Sequence, residues 1–459
     1  GSAAGQLFLC DGAVSHSVPA VHLGFPQCRA DCKEVQIERR SGSACGSVVC
    51  VECDFLFGSQ HVFILQLLGG GHTKRYRKLL LLFITFVLTA FVLMIALVVY
   101  VDPFFHYHKP LKNFNYVVDN QLTQNPGMAE HLPYDSVILG SSMTVNFETD
   151  WFEELMGLKT AKLSYSGAFP KDQSNIMKLI FNSRWNGEKR EVKKVFLGVD
   201  VITYTGDVEQ TKYPIPEYLY DNNLLNDVQY VLNKDVLLQY VLRPMADPEP
   251  TNWSHIYASW WTEEYYNEDW VLRNYEQPKK VETETPKDEY VTPVEANLSA
   301  NICPYIEANP DTEFVIFFPP YSILYWNDVL EENHLEATLE EYRYITERLN
   351  AYDNVTVYFF PACEDIICDL NHYADYSHYH PKFNRFMTEC FASGSYRVSK
   401  EKETETAGQT ALRNAEENLQ KTNEQPEEKT IDEYLEEMRQ IVDHYDFDTL
   451  HEKIEVWNQ

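Results

Sequence analysis

Ser136-Val-Ile-Leu-Gly-Ser-Ser142 is the stretch that decides the fold of this chain. Its apolar run, residues 137–139, has the composition of a buried strand, and the glycine that follows marks a turn. A serine directly after such a strand lies at the carboxyl edge of the sheet, where open parallel sheets bind their ligands. Ser142 is therefore a candidate nucleophile.

A second segment, Asp375-Tyr-Ser-His378, supplies an acid and a base much later in the chain. His378 can take the proton of a serine hydroxyl, and Asp375 can hold the imidazole in the required tautomer. Gly167 lets a second backbone N–H approach the oxyanion, since no side chain stands in the way. Taken singly, these motifs also fit an ordinary turn and a capped loop, so the prediction depends on the segments meeting in space.

Working outward from Ser142, the chain alternates between strand-like and helix-like patterns. The helical patterns cover residues 171–184, 294–308 and 335–352. Continuous apolar runs, typical of parallel strands covered on both faces, occupy residues 136–140, 161–166, 194–200, 313–319 and 355–361. Strands alternating with helices predict an α/β fold, a doubly wound three-layer sandwich around a parallel sheet of about five strands.

An uncharged apolar run over residues 79–100 follows the basic cluster Lys74-Arg-Tyr-Arg-Lys78. A bilayer core needs about 20 apolar helical residues, so residues 74–101 are predicted to form a transmembrane anchor. The alternative, a buried globular helix, rarely lacks a polar face for so long. Basic residues on the amino side favour a cytoplasmic start, and no cleavage signal follows, so a single-pass, uncleaved anchor with an extracellular C-terminal domain is expected.

Composition divides the rest of the chain. Residues 1–73 carry six of the ten cysteines in a spacing that matches no common zinc finger, so a disordered extension is predicted, with a zinc site as the alternative. The remaining predicted segments are a stalk (102–133), a folded domain (134–396), an acidic linker (397–430) and C-terminal helices (431–459).

An insertion over residues 204–293 interrupts the folded domain and is rich in tyrosine and tryptophan. It fits a packed helical subdomain, because long connections usually have structure of their own. It also fits a lid or substrate platform, because aromatic rings pack well on sugars and acyl chains. The two interpretations are compatible.

The net charge of -31 argues against nucleic acid as a partner. The histidines around His106 and His378 lack the spacing of a metal site, so no metal and no cofactor are predicted. Cys363 and Cys368 could form a local disulfide or remain free thiols.

These residues resemble the SGNH/GDSL hydrolase superfamily over about residues 134–392. Gly140-Ser-Ser142 is similar to the family's first block, which implies Ser142 as nucleophile, and Gly167 falls where an oxyanion glycine is expected. Asp375 and His378 are similar to the last block, with its catalytic acid and base. The third block departs from the family, since Asp200 stands where an oxyanion-binding asparagine is usual.

Among the members of that superfamily, the chain looks like membrane-anchored D-alanine transfer and polysaccharide O-acetylation proteins of bacteria. The resemblance implies an SGNH/flavodoxin-like fold at the outer face of the cytoplasmic membrane. It also implies a serine-dependent ester hydrolase or O-acyltransferase that acts on a cell-envelope polysaccharide or teichoic-acid-like polymer, with a membrane-bound acyl-donor protein as partner. The alternatives are a catalytically weak module that binds glycan or helps to assemble an envelope complex, and a metal-dependent hydrolase.

Overall fold

The computed structural model describes residues 73–400 and 428–457. The predicted extension, apart from its last residue, and most of the predicted acidic linker lie outside these residues. The chain divides into the units Gly1–Leu80 and Leu81–Gln459, and the fold described below belongs to the second.

Five strands form one parallel sheet, which confirms the predicted α/β class. They are β1 (Ser136–Leu139), β2 (Thr160–Lys162), β3 (Lys194–Gly198), β4 (Glu313–Phe318) and β5 (Val355–Phe359), in the spatial order β2-β1-β3-β4-β5. Val137 pairs with Ala161 on one side and Val195 on the other. The order therefore reverses at β1, and the crevice beyond the carboxyl ends of β1 and β3 is where such sheets bind ligands.

α-Helices form most of the regular structure outside the sheet in the described residues. The long helices that precede β4 are α1 (Thr73–Val101), α2 (Gln121–His131), α3 (Thr149–Met156) and α4 (Pro170–Asn182). Shorter ones follow: α5 (Val228–Val231), α6 (Arg243–Ala246), α7 (Glu268–Arg273), α8 (Val291–Asn297) and α9 (Cys303–Ala308). After β4 come α10 (Ile323–Glu331), α11 (Leu335–Asn350), α12 (Glu364–Ile367), α13 (Pro381–Ser393), α14 (Ile431–His444) and α15 (Phe447–Trp457).

Single helical turns connect these elements. The 3-10 turns are Ser142–Thr144, Val201–Thr205, Glu217–Leu219, Glu263–Tyr265 and Leu370–His372, and the π-helical segments are Val236–Leu242 and Leu298–Ile302. A two-stranded hairpin, Arg184–Trp185 with Glu188–Lys189, lies outside the main sheet.

Neighbouring residues of β4 show that helices cover both faces of the sheet. The Phe317 ring lies 5.2 Å from that of Phe391 in α13, whereas the Phe318 ring lies 5.1 Å from that of Tyr342 in α11. Successive side chains of a strand point to opposite faces, so α13 and α11 lie on opposite sides. Each fully buried ring of this kind contributes roughly 1.5–3 kcal/mol to folding.

The α1 helix has the properties expected of an anchor. In the described part of the chain, one helix, Lys74–Val101, is long and apolar enough to cross a membrane. Its mean hydropathy is 3.0, and almost none of its most apolar stretch is buried. Its last residues differ from the rest, because Val98 and Val101 are buried in the core of the following domain.

The segment predicted as an irregular stalk is more ordered than its sequence indicates. It contains α2, which tolerates Pro126 because six of its residues are buried. A Cβ atom on Gly127 would lie 2.1 Å from the Phe104 carbonyl oxygen, so this glycine permits a close helix–chain approach. The Asn-Pro-Gly sequence is typical of a turn, and tertiary packing overrides that preference here.

Candidate active site

Ser142 begins the tight turn that follows β1. Ser141 caps the 3-10 turn Ser142–Thr144, since its hydroxyl oxygen accepts a hydrogen bond from the Met143 N–H at 3.2 Å. The Thr144 hydroxyl donates to the Ser141 carbonyl oxygen at 2.8 Å. Side-chain capping thus fixes the backbone on both sides of Ser142.

Two glycines make room for this turn at the carboxyl edge of the sheet. A Cβ atom would lie 2.5 Å from the Thr144 methyl carbon if it were built on Gly140, and 2.9 Å from it if built on Gly198. Gly140 also has a φ of +150°, a conformation that side chains rarely adopt. The glycine that follows β1 and the one that ends β3 therefore allow the serine turn to lie against the sheet.

The acid and the base lie on a closed loop between β5 and α13. The Ala374 N–H donates to the His378 carbonyl oxygen at 2.8 Å, which closes the loop across its base. One oxygen of Asp375, Oδ1, accepts from the backbone N–H groups of Ser377 and His378 at 2.9 and 2.8 Å. The Tyr379 hydroxyl then donates to the Met143 carbonyl oxygen at 2.8 Å, which attaches the loop to the serine turn.

The structure brings Ser142, His378 and Asp375 together in one hydrogen-bonded row. His378 Nε2 lies 2.8 Å from Ser142 Oγ, and His378 Nδ1 lies 2.7 Å from Asp375 Oδ2. With the proton on Nδ1 donated to Asp375, Nε2 accepts from the serine hydroxyl. This is the geometry in which an imidazole can withdraw the proton of a nucleophile.

Electrostatics in this row stabilise the pair of imidazolium and carboxylate that forms when His378 takes up a proton. Burial would raise the pKa of Asp375, but the charge of His378 and the hydrogen bonds that Asp375 accepts hold that pKa well below its ordinary value. Burial would lower the pKa of His378, yet the charge and hydrogen bond of Asp375, together with the charge of Asp200, raise it. The row can therefore stabilise an imidazolium that forms at His378.

Asp200 lies in the same crevice, two residues after β3, and is buried. The Tyr321 hydroxyl donates to its Oδ1, and the Ser141 side chain also hydrogen-bonds to its carboxyl group. Burial raises the pKa of Asp200, against the opposing effects of these two hydrogen bonds and of the His378 charge. Asp200 is thus held by neighbouring hydroxyls beside the triad, and as a carboxylate it offers no hydrogen-bond donor to an oxyanion.

Gly167 lies in a turn one strand away from Ser142. The Tyr165 N–H donates to the Gly140 carbonyl oxygen at 2.9 Å, which continues the pairing of β1 and β2 beyond the strand ends. Gly167 follows with a φ of +70°, and a Cβ atom on it would lie 3.0 Å from Lys212 Nζ. The positive φ favours glycine at this position, and the Lys212 side chain packs against it.

Trp260, from the aromatic insertion, packs on the base of the triad, and the sequence did not single it out. Its ring lies 4.3 Å from the His378 ring at an interplanar angle of 33°. Asn146, just past the serine turn, accepts hydrogen bonds from the Ser259 N–H at 2.9 Å and from Trp261 Nε1 at 3.1 Å. The insertion therefore reaches the triad, and its aromatic composition was the one available signal.

The remaining histidines and cysteines take other roles in the structure. His380 Nε2 lies 3.0 Å from a Glu263 oxygen, and His380 Nδ1 accepts from the Lys382 N–H at 3.0 Å. Cys363 and Cys368 are free thiols rather than a disulfide. Within residues 73–400 and 428–457, no group of three or more His, Cys, Asp or Glu side chains is arranged to hold a metal ion.

Comparisons with family models, with curated proteins and with solved structures find no significant match to this chain. Interpretation of the site therefore depends on its own geometry and chemistry.

Proposed function

We propose that the protein is a serine-dependent acyl-ester enzyme, a hydrolase or O-acyltransferase, held at the outer face of a bacterial cytoplasmic membrane by α1. The observation that carries the proposal is the row Ser142–His378–Asp375, with contacts of 2.8 and 2.7 Å. A structural role for Ser142 would not explain why the contacting histidine is itself oriented by a carboxylate on its other ring nitrogen.

In the proposed reaction, Ser142 Oγ attacks the carbonyl carbon of an ester while its proton moves to His378 Nε2. Asp375 stabilises the imidazolium that results. The tetrahedral intermediate then collapses, and the leaving alkoxide takes the proton from His378, which leaves the acyl group on Ser142. Water or a polymer hydroxyl next gives its proton to His378 and attacks the acyl carbon. The second tetrahedral intermediate collapses with cleavage of its bond to Ser142 Oγ, which takes the proton back from His378, so the product is either an acid or a new ester.

Stabilisation of the oxyanion is assigned to backbone N–H groups, those of Ser142 and Gly167. Ser142 follows β1 at the switch point of the sheet, Gly167 follows the neighbouring strand β2 at the same edge, and Gly167 presents its backbone without a side chain. Because hydroxyls already engage the Asp200 carboxyl group, we assign it no direct contact with the oxyanion. The loss of an asparagine donor there predicts slow turnover, since one such donor is worth about 2.7–4 kcal/mol in other serine enzymes.

Two features support the family resemblance and the proposed substrate class. The strand order 2-1-3-4-5 is that of flavodoxin-like doubly wound sheets, as the SGNH resemblance implies. A membrane anchor with Trp260 over the site suits a polymer substrate of the cell envelope, because aromatic rings pack on sugar rings and acyl chains. If the protein is a transferase, a membrane-bound acyl-donor protein would supply the acyl group.

Ester turnover by the detergent-solubilised full chain tests the proposal, with p-nitrophenyl acetate as the substrate. We expect Ser142→Ala and His378→Ala each to lower kcat/KM by roughly 10³-fold or more. His380→Ala is the matched control, because its imidazole contacts Glu263 and is two residues from His378. Full turnover by both triad variants would refute the assignment.

The second candidate is a glycan-binding module without catalysis, which the buried Asp200 favours. It predicts that a glycan bound by the wild-type chain is bound equally well by Ser142→Ala, with no ester turnover in either protein. Ester turnover that depends on Ser142 would exclude it.

A further inference from the structure

We propose that the segment 222–246 of the insertion is a second membrane contact, which lies in the lipid interface beside α1. The inference rests on the proposed membrane anchor and is independent of the proposed catalysis. Three observations carry it: the reach of α1, the attachment of this segment to the end of α1, and its exposed apolar side chains.

The first observation is that α1 reaches the outer interface only where the domain already packs against it. An apolar helix needs about 20 residues to cross the hydrocarbon core. Counted from Leu79, directly after the basic cluster, about 20 residues end near Val98. Val98 and Val101 are buried in the core of the domain, and Ile95 packs against that core. Parts of the domain that lie beside these residues are therefore at the depth of the lipid interface.

The second observation is that segment 222–246 is attached to the chain directly after α1. The Tyr230 hydroxyl donates to Asp102 Oδ1 at 2.9 Å and accepts from the Phe104 N–H at 3.0 Å. The Phe104 ring lies 5.2 Å from the Tyr230 ring and 5.1 Å from the Tyr240 ring. Since Asp102 follows the last residue of α1, the segment begins at the level where the helix leaves the lipid.

The third observation is the surface that this segment presents. Its exposed large apolar side chains are Leu224, Leu225, Val228, Leu232, Leu238, Leu242 and Met245. Leu225, at 89%, is the most exposed large apolar residue of the described chain. Exposed apolar side chains concentrated in one segment indicate an interaction site, whereas singly scattered ones are normal on a folded domain.

The charge of the segment is compatible with a lipid partner. Residues 222–246 contain Asp227 and Asp235 against Lys234 and Arg243, so two acidic and two basic residues give a net charge of zero, and Asp221 and Asp247 flank the segment. The whole chain has a formal charge of -31. An anionic bilayer repels the acidic remainder, whereas this neutral apolar segment can enter the interface.

Lipid cross-linking of the full chain tests the proposal. The protein is reconstituted in phosphatidylcholine–phosphatidylglycerol vesicles that contain a phospholipid with a diazirine on its acyl chain, and labelled peptides are identified after illumination. We expect lipid adducts on peptides from 79–97 and also from 222–246. The double variant Leu224→Asp/Leu225→Asp should lower the yield of lipid adducts on 222–246 at least roughly tenfold, while the yield of adducts on α1 stays unchanged.

Val456→Asp is the matched control, because Val456 is an exposed apolar residue of α15 and should affect neither yield. Adducts confined to α1 would overturn the inference while leaving the anchor intact. Cross-links that join 222–246 to a second copy of the chain or to another protein, instead of to lipid, would overturn it as well. Loss of adducts from α1 itself would instead refute the anchor, and with it the inference, and none of these results bears on Ser142.

Discussion

Replacing Asp375 by asparagine separates orientation of His378 from simple packing of the loop. Asparagine keeps an oxygen that can accept from the Ser377 and His378 N–H groups, so the loop should remain closed. It removes the negative charge, and it places an N–H₂ group or a weaker acceptor opposite His378 Nδ1. The tautomer with its proton on Nε2 then becomes favoured, and Nε2 can no longer accept the Ser142 proton.

The distance between His378 and Asp375 sets the electrostatic contribution of Asp375 to the loss of activity in this variant. His378 Nδ1 and Asp375 Oδ2 are 2.7 Å apart, so the centres of charge are about 4 Å apart and attract by about 4 kcal/mol at an effective dielectric constant of about 20. The Asp375 side chain is 37% exposed, and solvent screening reduces this to about 2 kcal/mol. That alone is worth roughly 30-fold in the stability of the imidazolium, and the tautomer change brings the expected loss in kcat/KM to roughly 10³–10⁴-fold.

The pH profile of kcat/KM shows the direction in which the pKa of His378 shifts in this variant. Asp375 raises the pKa of His378 and burial lowers it. Without the carboxylate, burial dominates, the pKa of His378 falls, and the acid limb of the profile moves to lower pH. Asp369→Asn is the matched control, since Asp369 lies on the same loop and accepts from Asn371 rather than from His378. An Asp375→Asn variant with near-normal turnover, or with an unmoved acid limb, would refute this reasoning.

Two further predictions concern the surroundings of the triad. Trp260→Ala removes the ring over His378 and should lower kcat/KM roughly tenfold with little change in Tm, because an aromatic contact of this kind is worth about 0.5–1.5 kcal/mol; a turnover equal to wild type would show that the insertion has no role in positioning the base. Gly140→Ala drives a Cβ atom into the Thr144 methyl group and should cost about 1–3 kcal/mol of unfolding free energy by thermal or urea denaturation. Gly157→Ala is its control, since Gly157 also has positive φ but no atom within 4 Å of the added Cβ, and equal losses for both variants would show that the close contact at Thr144 adds nothing.

The sheet could be predicted because its strands are buried on both faces. A parallel strand between two helical layers reads as a continuous apolar run, so β3 and β4 were recognisable from residues 194–200 and 313–319. Their carboxyl ends then determine which polar residues share the crevice, because all parallel strands end at the same edge. The sequence therefore predicts that Ser142 and Asp200 lie near one another.

Contacts between distant loops could not be predicted in the same way. Tyr321, which engages Asp200, follows β4 in a loop whose path no local pattern specifies. Trp260 lies in an insertion with many aromatic residues, and composition alone does not say which ring meets His378. The α2 helix was missed for a related reason, since its stability comes from burial against neighbouring segments and overrides the turn preference of Asn125-Pro-Gly.

The central claim is that Ser142 is an activated nucleophile, and labelling by a fluorophosphonate tests it most directly. The reagent forms a covalent bond only with a serine whose proton an adjacent base can withdraw. In the folded full chain, peptide mapping should find the adduct on Ser142, and His378→Ala should lower its rate of formation roughly 10³-fold while His380→Ala leaves it unchanged. A folded protein that stays unlabelled at Ser142, or labels at the same rate without His378, would contradict the account.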